Sequence, residues 1–245
     1  MLSKRMVSKF HSIFSKKPII GMIHLAGDTS EERLKRAMEE LKLYDEEGIN
    51  GAIIEDYHGN IVDVLTVLEE SAKYSWRLQR GVNVLRNPYL SFQLAKEYGA
   101  TFVQFDNIQS ELLNVRQYNE LRSRFPNVVV LGGVGFKYQP PTGNSVETDL
   151  QDGMQNCDAI VTTGPGTGLE TPLEKLQIYK SILRDFPLIS GAGVTLENVC
   201  DQIGIADGLI VGSYFKDGNT EYPVIRSNVR SLKQGVDELL ESCLC

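Results

Sequence analysis

The residues that can do chemistry in this chain are polar side chains closing short apolar runs. His24 ends Gly21-Met22-Ile23-His24, Glu55 and Asp56 end Ala52-Ile53-Ile54, and Asn83 lies within Gly81-Val82-Asn83-Val84-Leu85, with Arg86 just beyond. Asp106 and Asn107 end a fourth run, and Lys137 follows a fifth. A histidine so placed can serve as general acid or base near neutral pH; a buried histidine held by a backbone group is the competing reading. Glu55 and Asp56 are adjacent on a strand, so they point to opposite faces and only one can look inward. Asn83 is the more telling residue, because a buried amide needs partners and an apolar strand rarely carries one without use. Lys137 suits an anionic substrate or a Schiff base. Arg86 can meet a substrate anion or pair with a neighbouring acid. His24, Glu55 and Asp106 could in principle ligate a metal, but without fixed spacing they make no metal motif, and none is expected.

Two glycine turns form the most specific signal. Ser190-Gly191-Ala192-Gly193-Val194-Thr195 and Val211-Gly212-Ser213-Tyr214-Phe215-Lys216 each leave an apolar run and head toward a helix. Glycines let backbone approach a ligand closely, and unpaired N–H groups at a helix start favour a dianion. Gly191, Ala192, Gly193, Gly212 and Ser213, with Arg86 and Lys216 as cationic candidates, therefore make an expected phosphate site. A plain pair of chain turns, with Thr195 capping the next helix, is the bland reading. The glycines of Thr163-Gly164-Pro165-Gly166-Thr167-Gly168 fit neither a nucleotide P-loop nor a dinucleotide fingerprint, so no cofactor is expected. That segment reads as a cover over the site or as a solvent loop.

These residues need a scaffold that gathers run ends. Eight runs recur: Pro18–His24, Gly51–Asp56, Gly81–Leu85, Thr101–Asp106, Val128–Leu131, Asp158–Thr162, Pro187–Gly191 and Asp207–Gly212. Most are continuous apolar blocks, as in parallel strands buried on both faces. Amphipathic, helix-length segments separate them. Thr29-Ser30-Glu31-Glu32 has capping-box spacing before a helix ending at Gly48. Asn87-Pro88 and Thr171-Pro172 place a cap residue before a proline suited to the first helical position. The pattern predicts a single-domain (β/α)8 barrel over residues 18–245, at the usual size of roughly 250 residues. Ligand-binding residues then belong at the C-terminal strand ends, with phosphate after strands seven and eight.

Residues 1–17 carry Lys4, Arg5, Lys9, Lys16 and Lys17 without an acid, and Leu2, Met6, Phe10, Ile13 and Phe14 fall on one helical stripe. This predicts an extra amphipathic helix docked on the barrel floor, with peripheral membrane contact as the alternative. A net charge of −7 excludes general nucleic-acid binding. No apolar run reaches the roughly 18 residues of a spanning helix. Cys157, Cys200, Cys243 and Cys245 show no metal spacing, and a secretory signal is not evident, so a reduced, cytoplasmic protein is expected, a homo-oligomer being compatible.

Together, Ile19-Ile20-Gly21-Met22-Ile23-His24-Leu25, Gly81-Val82-Asn83-Val84-Leu85-Arg86-Asn87, Ser190-Gly191-Ala192-Gly193-Val194-Thr195-Leu196-Glu197-Asn198-Val199 and Ala206-Asp207-Gly208-Leu209-Ile210-Val211-Gly212-Ser213 resemble the BtpA family. The resemblance implies a barrel of the ribulose-phosphate-binding type, and the family is named for a photosystem I biogenesis factor. Carried over by position, His24, Asn83, Arg86, Asn87, Lys137, Gly191, Gly193, Gly212 and Lys216 fall on family-like motifs. The chain departs from the family pattern at Ala26-Gly27-Asp28, at Glu55-Asp56 and at Gly132-Gly133-Val134. Two functions follow as expectations. One is an isomerase or lyase acting on a small phosphorylated metabolite, a sugar phosphate or related ester, through His24, Glu55, Asn83 and Lys137. The other is a non-catalytic membrane-protein or photosystem assembly factor.

Overall fold

The computed structural model describes residues 9–14 and 17–242. Eight parallel strands close on themselves in sequence order: β1 (Ile19–Ile23), β2 (Gly51–Glu55), β3 (Gln79–Asn83), β4 (Phe102–Phe105), β5 (Val129–Gly133), β6 (Ala159–Thr162), β7 (Leu188–Ser190) and β8 (Gly208–Val211). The seam is a β1–β8 ladder in which Gly21 is level with Val211. Around the barrel lie α2 (Ser30–Glu46), α3 (Ile61–Ser71), α4 (Leu90–Tyr98), α5 (Val115–Arg124), α6 (Val146–Asn156), α7 (Leu173–Leu183), α8 (Val199–Ile205) and α9 (Arg226–Ser242), and α1 (Lys9–Ile13) precedes them. The chain is thus a (β/α)8 barrel.

Strand alternation divides the apolar residues into two cores. Ile19, Ile23, Ile54, Val82, Val103 and Val130 point outward and pack beneath the helices. Ile20, Met22, Ile53, Phe102, Val129, Leu131, Val161, Ile189 and Ile210 point inward and fill the barrel. Large and small residues alternate there: the Phe102 ring lies over Gly81, where an added Cβ would come within 2.2 Å of it. This packing is the physical reason for Gly-Val-Asn at the end of β3, since Gly81 and Asn83 look inward and Val82 outward. At the N-terminal end Phe10 and Phe14 join the interior core, and Phe14 meets Phe102 edge-on at 5.6 Å between centroids. The described part of the amphipathic stripe therefore plugs the barrel floor. Residues 1–8, 15 and 16 of the expected N-terminal helix lie outside the described residues.

Helix starts follow the sequence in part. Thr29 and Glu32 form a reciprocal capping box at α2, and Asn60 and Asp63 form another at α3 that the sequence reading did not single out. Two expected caps are corrected. Asn87 does not cap α4, which begins at Leu90 behind Tyr89; only its carbonyl enters the turn, accepting from Leu90 N–H. The Thr171 hydroxyl donates instead to the Ala192 carbonyl at 3.2 Å, tying the β6 loop to the β7 loop.

Candidate active site

The C-terminal mouth is divided by residue type. Inward positions at the ends of β1 to β4 carry His24, Glu55, Asn83 and Asp106, whereas β7 and β8 contribute Gly191 and Gly212. All of these except Asn83 line one cavity of about 120 Å³, whose walls also include Gln104, Lys137, Ala192, Gly193 and Ser213.

On the acidic side, Asn83 is fully buried and its Nδ2 bridges two carboxyl groups. It donates to Glu55 Oε1 at 2.8 Å and to Asp106 Oδ1 at 3.0 Å. Gln104, two residues before Asp106 on the same face of β4, donates a second hydrogen bond to Asp106 Oδ1 at 3.0 Å. Burial, reinforced by the charge of Asp106, pushes the Glu55 carboxyl up to about 8, against the opposing pull of Lys137 and Asn83. Burial raises Asp106 as well, while bonds from Gln104 and Asn83 and the Lys137 charge oppose the rise. Near neutral pH this makes Glu55 a carboxylic acid able to donate a proton. Asp56, pointing the other way, accepts Leu85 N–H and fixes the β3 loop.

His24 is only 4% exposed, and its Nδ1 has no hydrogen-bond partner among the described residues. Burial first, then the charges of Lys216, His58 and Lys137, hold it well below its ordinary value, so the ring is neutral. It rests against Gly212, where an added Cβ would lie 2.9 Å from His24 Cε1. Lys137 sits in the β5 loop, four residues past the strand. Its backbone N–H is held by Thr163 Oγ1 at 2.6 Å, and its ammonium lies 5.4 Å from the Phe136 ring centroid.

On the glycine side, Gly191 N–H is engaged by the Thr162 carbonyl at 2.8 Å. The N–H groups of Gly193, Gly212 and Ser213 donate to no protein acceptor among the described residues. Gly193 has φ +66°, and a Cβ there would lie 2.3 Å from Glu170 N, so only glycine fits. The helix expected directly after the β7 turn starts only at Val199; Asn198 braces the intervening loop through Thr195 N–H and the Gly193 carbonyl. After β8, Ser213–Lys216 is a short 3-10 turn.

Two expected cationic ligands do not reach this cavity. Lys216 is 1% exposed, lies outside the cavity lining, and is ion-paired with Glu40 of α2. Arg86 is exposed on the β3 loop and is likewise absent from the mouth. His24, Glu55 and Asp106 share the mouth, yet among the described residues no three His, Cys, Asp or Glu side chains are grouped to hold a metal ion.

Several mouth residues escaped the sequence reading. Gln104 carried the signal that marked Asn83, a polar residue at an inward strand position. Thr167 lies in the glycine-rich segment read as a cover or a solvent loop, and Tyr57 and Tyr138 were not singled out by residue type. The Tyr57 hydroxyl pairs with Thr167 Oγ1 at 3.1 Å, and Thr167 N–H donates to the Tyr138 hydroxyl at 3.0 Å. Through these bonds the β6 loop lies across the mouth, with Gly168 beside Ser213. Its covering alternative is the one the geometry favours.

Residues 15–238 match the BtpA family. The chain belongs to this family. An uncharacterized protein of Pyrococcus abyssi is 30% identical over 232 residues, covering 82% of this chain and 88% of that protein. The photosystem I biogenesis protein BtpA of Synechocystis sp. is 24% identical, covering 95% of this BtpA-family chain and 92% of that protein. Among solved structures, N-(5'-phosphoribosyl)anthranilate isomerase from Pyrococcus furiosus superposes with a TM-score of 0.60 at 14% identity, covering 91% of this chain and 99% of the other. At that identity the likeness shows the shared barrel fold.

Proposed function

We propose that this BtpA-family protein is an enzyme that anchors a small phosphorylated molecule, a sugar phosphate or related ester, and moves protons at its other end. The carrying observation is that Gly193, Gly212 and Ser213, whose N–H groups are unengaged among the described residues, line the same cavity as buried Glu55 and half-buried Asp106, which Asn83 joins. Three unengaged donors on residues around one cavity suit a dianion. Binding energy from the phosphate then orients the reactive end between Glu55, His24 and Lys137. Glu55 serves as proton donor, neutral His24 polarises an oxygen, and the Lys137 ammonium stabilises negative charge developing there. The phosphoribosyl substrate in the name of the structural neighbour supports the same reading by analogy of fold. The assembly-factor alternative rests on the Synechocystis relative's name, whereas Phe10 and Phe14, the aromatic part of the proposed membrane stripe, are buried in the barrel.

The test is made at Ser213. An aspartate at Gly193 would clash with the Leu169–Glu170 backbone and test folding as much as binding. Ser213→Asp instead places a carboxylate at the anion rim without requiring glycine backbone. Titration calorimetry with inorganic phosphate is expected to show binding by the natural protein, a loss of about tenfold or more in Ser213→Asp from like-charge repulsion, and little change in Ser213→Ala. Equal phosphate affinity in Ser213→Asp and the natural protein would remove the anion site.

A further inference from the structure

Two carboxyl groups held by one amide give the mouth more than a single acid. Glu55 at the end of β2 and Asp106 just past β4 flank Asn83 on β3, and both line the cavity. Each has one oxygen fixed by Asn83 Nδ2, and the other, Glu55 Oε2 or Asp106 Oδ2, has no hydrogen-bond partner among the described residues. The two groups are not equivalent. Asp106 Oδ1 accepts two N–H donors, from Asn83 and Gln104, whereas Glu55 accepts one and lies deeper in the interior. Hydrogen bonds to a carboxylate favour its charged form, and burial disfavours it. The bridge therefore sorts the pair into a base and an acid and holds them side by side, with Lys137 lining the same cavity.

We infer that Asp106 is the base and Glu55 the acid of a proton shift between adjacent carbons of a phosphorylated hydroxycarbonyl compound. This deepens the phosphate-anchored reading above and rests on it. The Asp106 carboxylate takes the proton from the carbon bearing the hydroxyl next to the carbonyl. The C–H electron pair becomes the C=C bond, the carbonyl π pair moves onto oxygen, and that oxygen takes the proton of Glu55, giving an enediol. Glu55, now a carboxylate, removes the proton of the neighbouring hydroxyl, whose O–H pair forms the new C=O. The C=C pair collects the proton held on Asp106 at the former carbonyl carbon. One hydrogen has changed carbons, both carboxyl groups have regained their starting protonation, and no oxidant, reductant or second substrate is consumed. A lone acid would leave the C–H proton without an acceptor, and a lone base would leave the enediolate oxygen charged in a buried site.

The experiment follows deuterium from solvent into carbon. The full chain is incubated in D2O with aldose and ketose monophosphates of three to six carbons and with the unphosphorylated sugars. Proton NMR reads exchange beside the carbonyl, and calorimetry with inorganic phosphate reads the anion site in parallel. Deuterium is expected to enter a phosphorylated compound. Asp106→Asn, which preserves shape and the bonding of Oδ1, should lower the rate by a factor on the order of 10³ while leaving phosphate affinity unchanged. Glu55→Gln should lower it comparably. Carboxyl carbon NMR supplies a readout independent of turnover: in Asp106→Asn, loss of the neighbouring charge should move the Glu55 titration down toward its ordinary range. Phosphate binding with neither deuterium entry into any sugar phosphate nor aldose–ketose interconversion in the same spectra would overturn the acid–base pair and spare the anion site. Exchange that survives Asp106→Asn would likewise overturn it. Failure to bind phosphate would bring down the anchoring reading and this inference with it.

Discussion

Glu55 accepts a hydrogen bond from Asn83 and feels the charges of Asp106, Lys137 and Asp56. Its displacement, caused first by burial and then by Asp106, has a thermodynamic consequence. The folded chain holds a proton on Glu55 up to about pH 8, whereas the unfolded chain releases it near 4.5. Between those values the native state binds more protons than the unfolded state, so this group's contribution to stability falls as pH rises. Glu55→Gln keeps the amide-sized shape and cannot ionise. The variant is expected to lose that part of the pH dependence and to exceed the natural protein in stability by about 3–5 kcal/mol at pH 9. Urea unfolding at pH 5, 7 and 9 checks this, and parallel pH profiles for the two proteins would contradict it. The pair of amides on β3 and β4 also shows what one residue can reveal: Asn83 announced itself by polarity within an apolar run, but its two partners were settled only by strand register.

At the level of elements, α1 works as a floor for the barrel. Phe10 is fully buried, and Phe14 packs on Phe102, whose ring occupies the space that Gly81 leaves open. Removing the Phe14 ring opens the interior core at its base, and Phe14→Ala is expected to cost about 3–5 kcal/mol. Chemical denaturation read by circular dichroism measures this; a loss within experimental error would show that the helix merely rests on the barrel. The loop after β6 is the complementary element at the mouth. Thr167 is bonded to tyrosines from the β2 and β5 loops, and the Glu170 backbone abuts Gly193. Its glycines read from sequence as either cover or solvent loop, because the partners that decide between these lie 29 and 110 residues away.

For the molecule as a whole, the first and last β–α units must be fastened to each other. The β1–β8 ladder does so in the sheet, and the Lys216–Glu40 ion pair does so outside it, with Glu40 also accepting Val224 N–H at 3.2 Å. Burial drives Glu40 up and Lys216 down from their ordinary values, each opposed by the partner's charge. Lys216→Ala leaves a buried carboxylate without its cation, and a loss of about 3–5 kcal/mol is expected. The double change Glu40→Leu with Lys216→Met removes both charges and should recover most of that loss. Because Lys216 does not line the mouth, the double variant should keep the phosphate affinity of the natural protein. Denaturation and phosphate titration on the same preparations test both statements; weakened phosphate binding at full stability would return Lys216 to the anion site.

Sequence by itself determined the barrel, because eight apolar blocks buried on both faces and separated by capped helices leave a parallel, closed sheet as the economical way to hide them. It also marked the strand ends that carry His24, Glu55, Asn83, Asp106 and the glycine turns, since one-dimensional pattern encodes which residues look inward. Only the tertiary structure decided which of these meet. Lys216 and Arg86 carried the right charge for a phosphate site, but helix packing drew one onto Glu40 and left the other in solvent. The joining of Glu55 to Asp106 through Asn83 depends on the relative stagger of three strands, a length set by barrel closure and by no local run of residues.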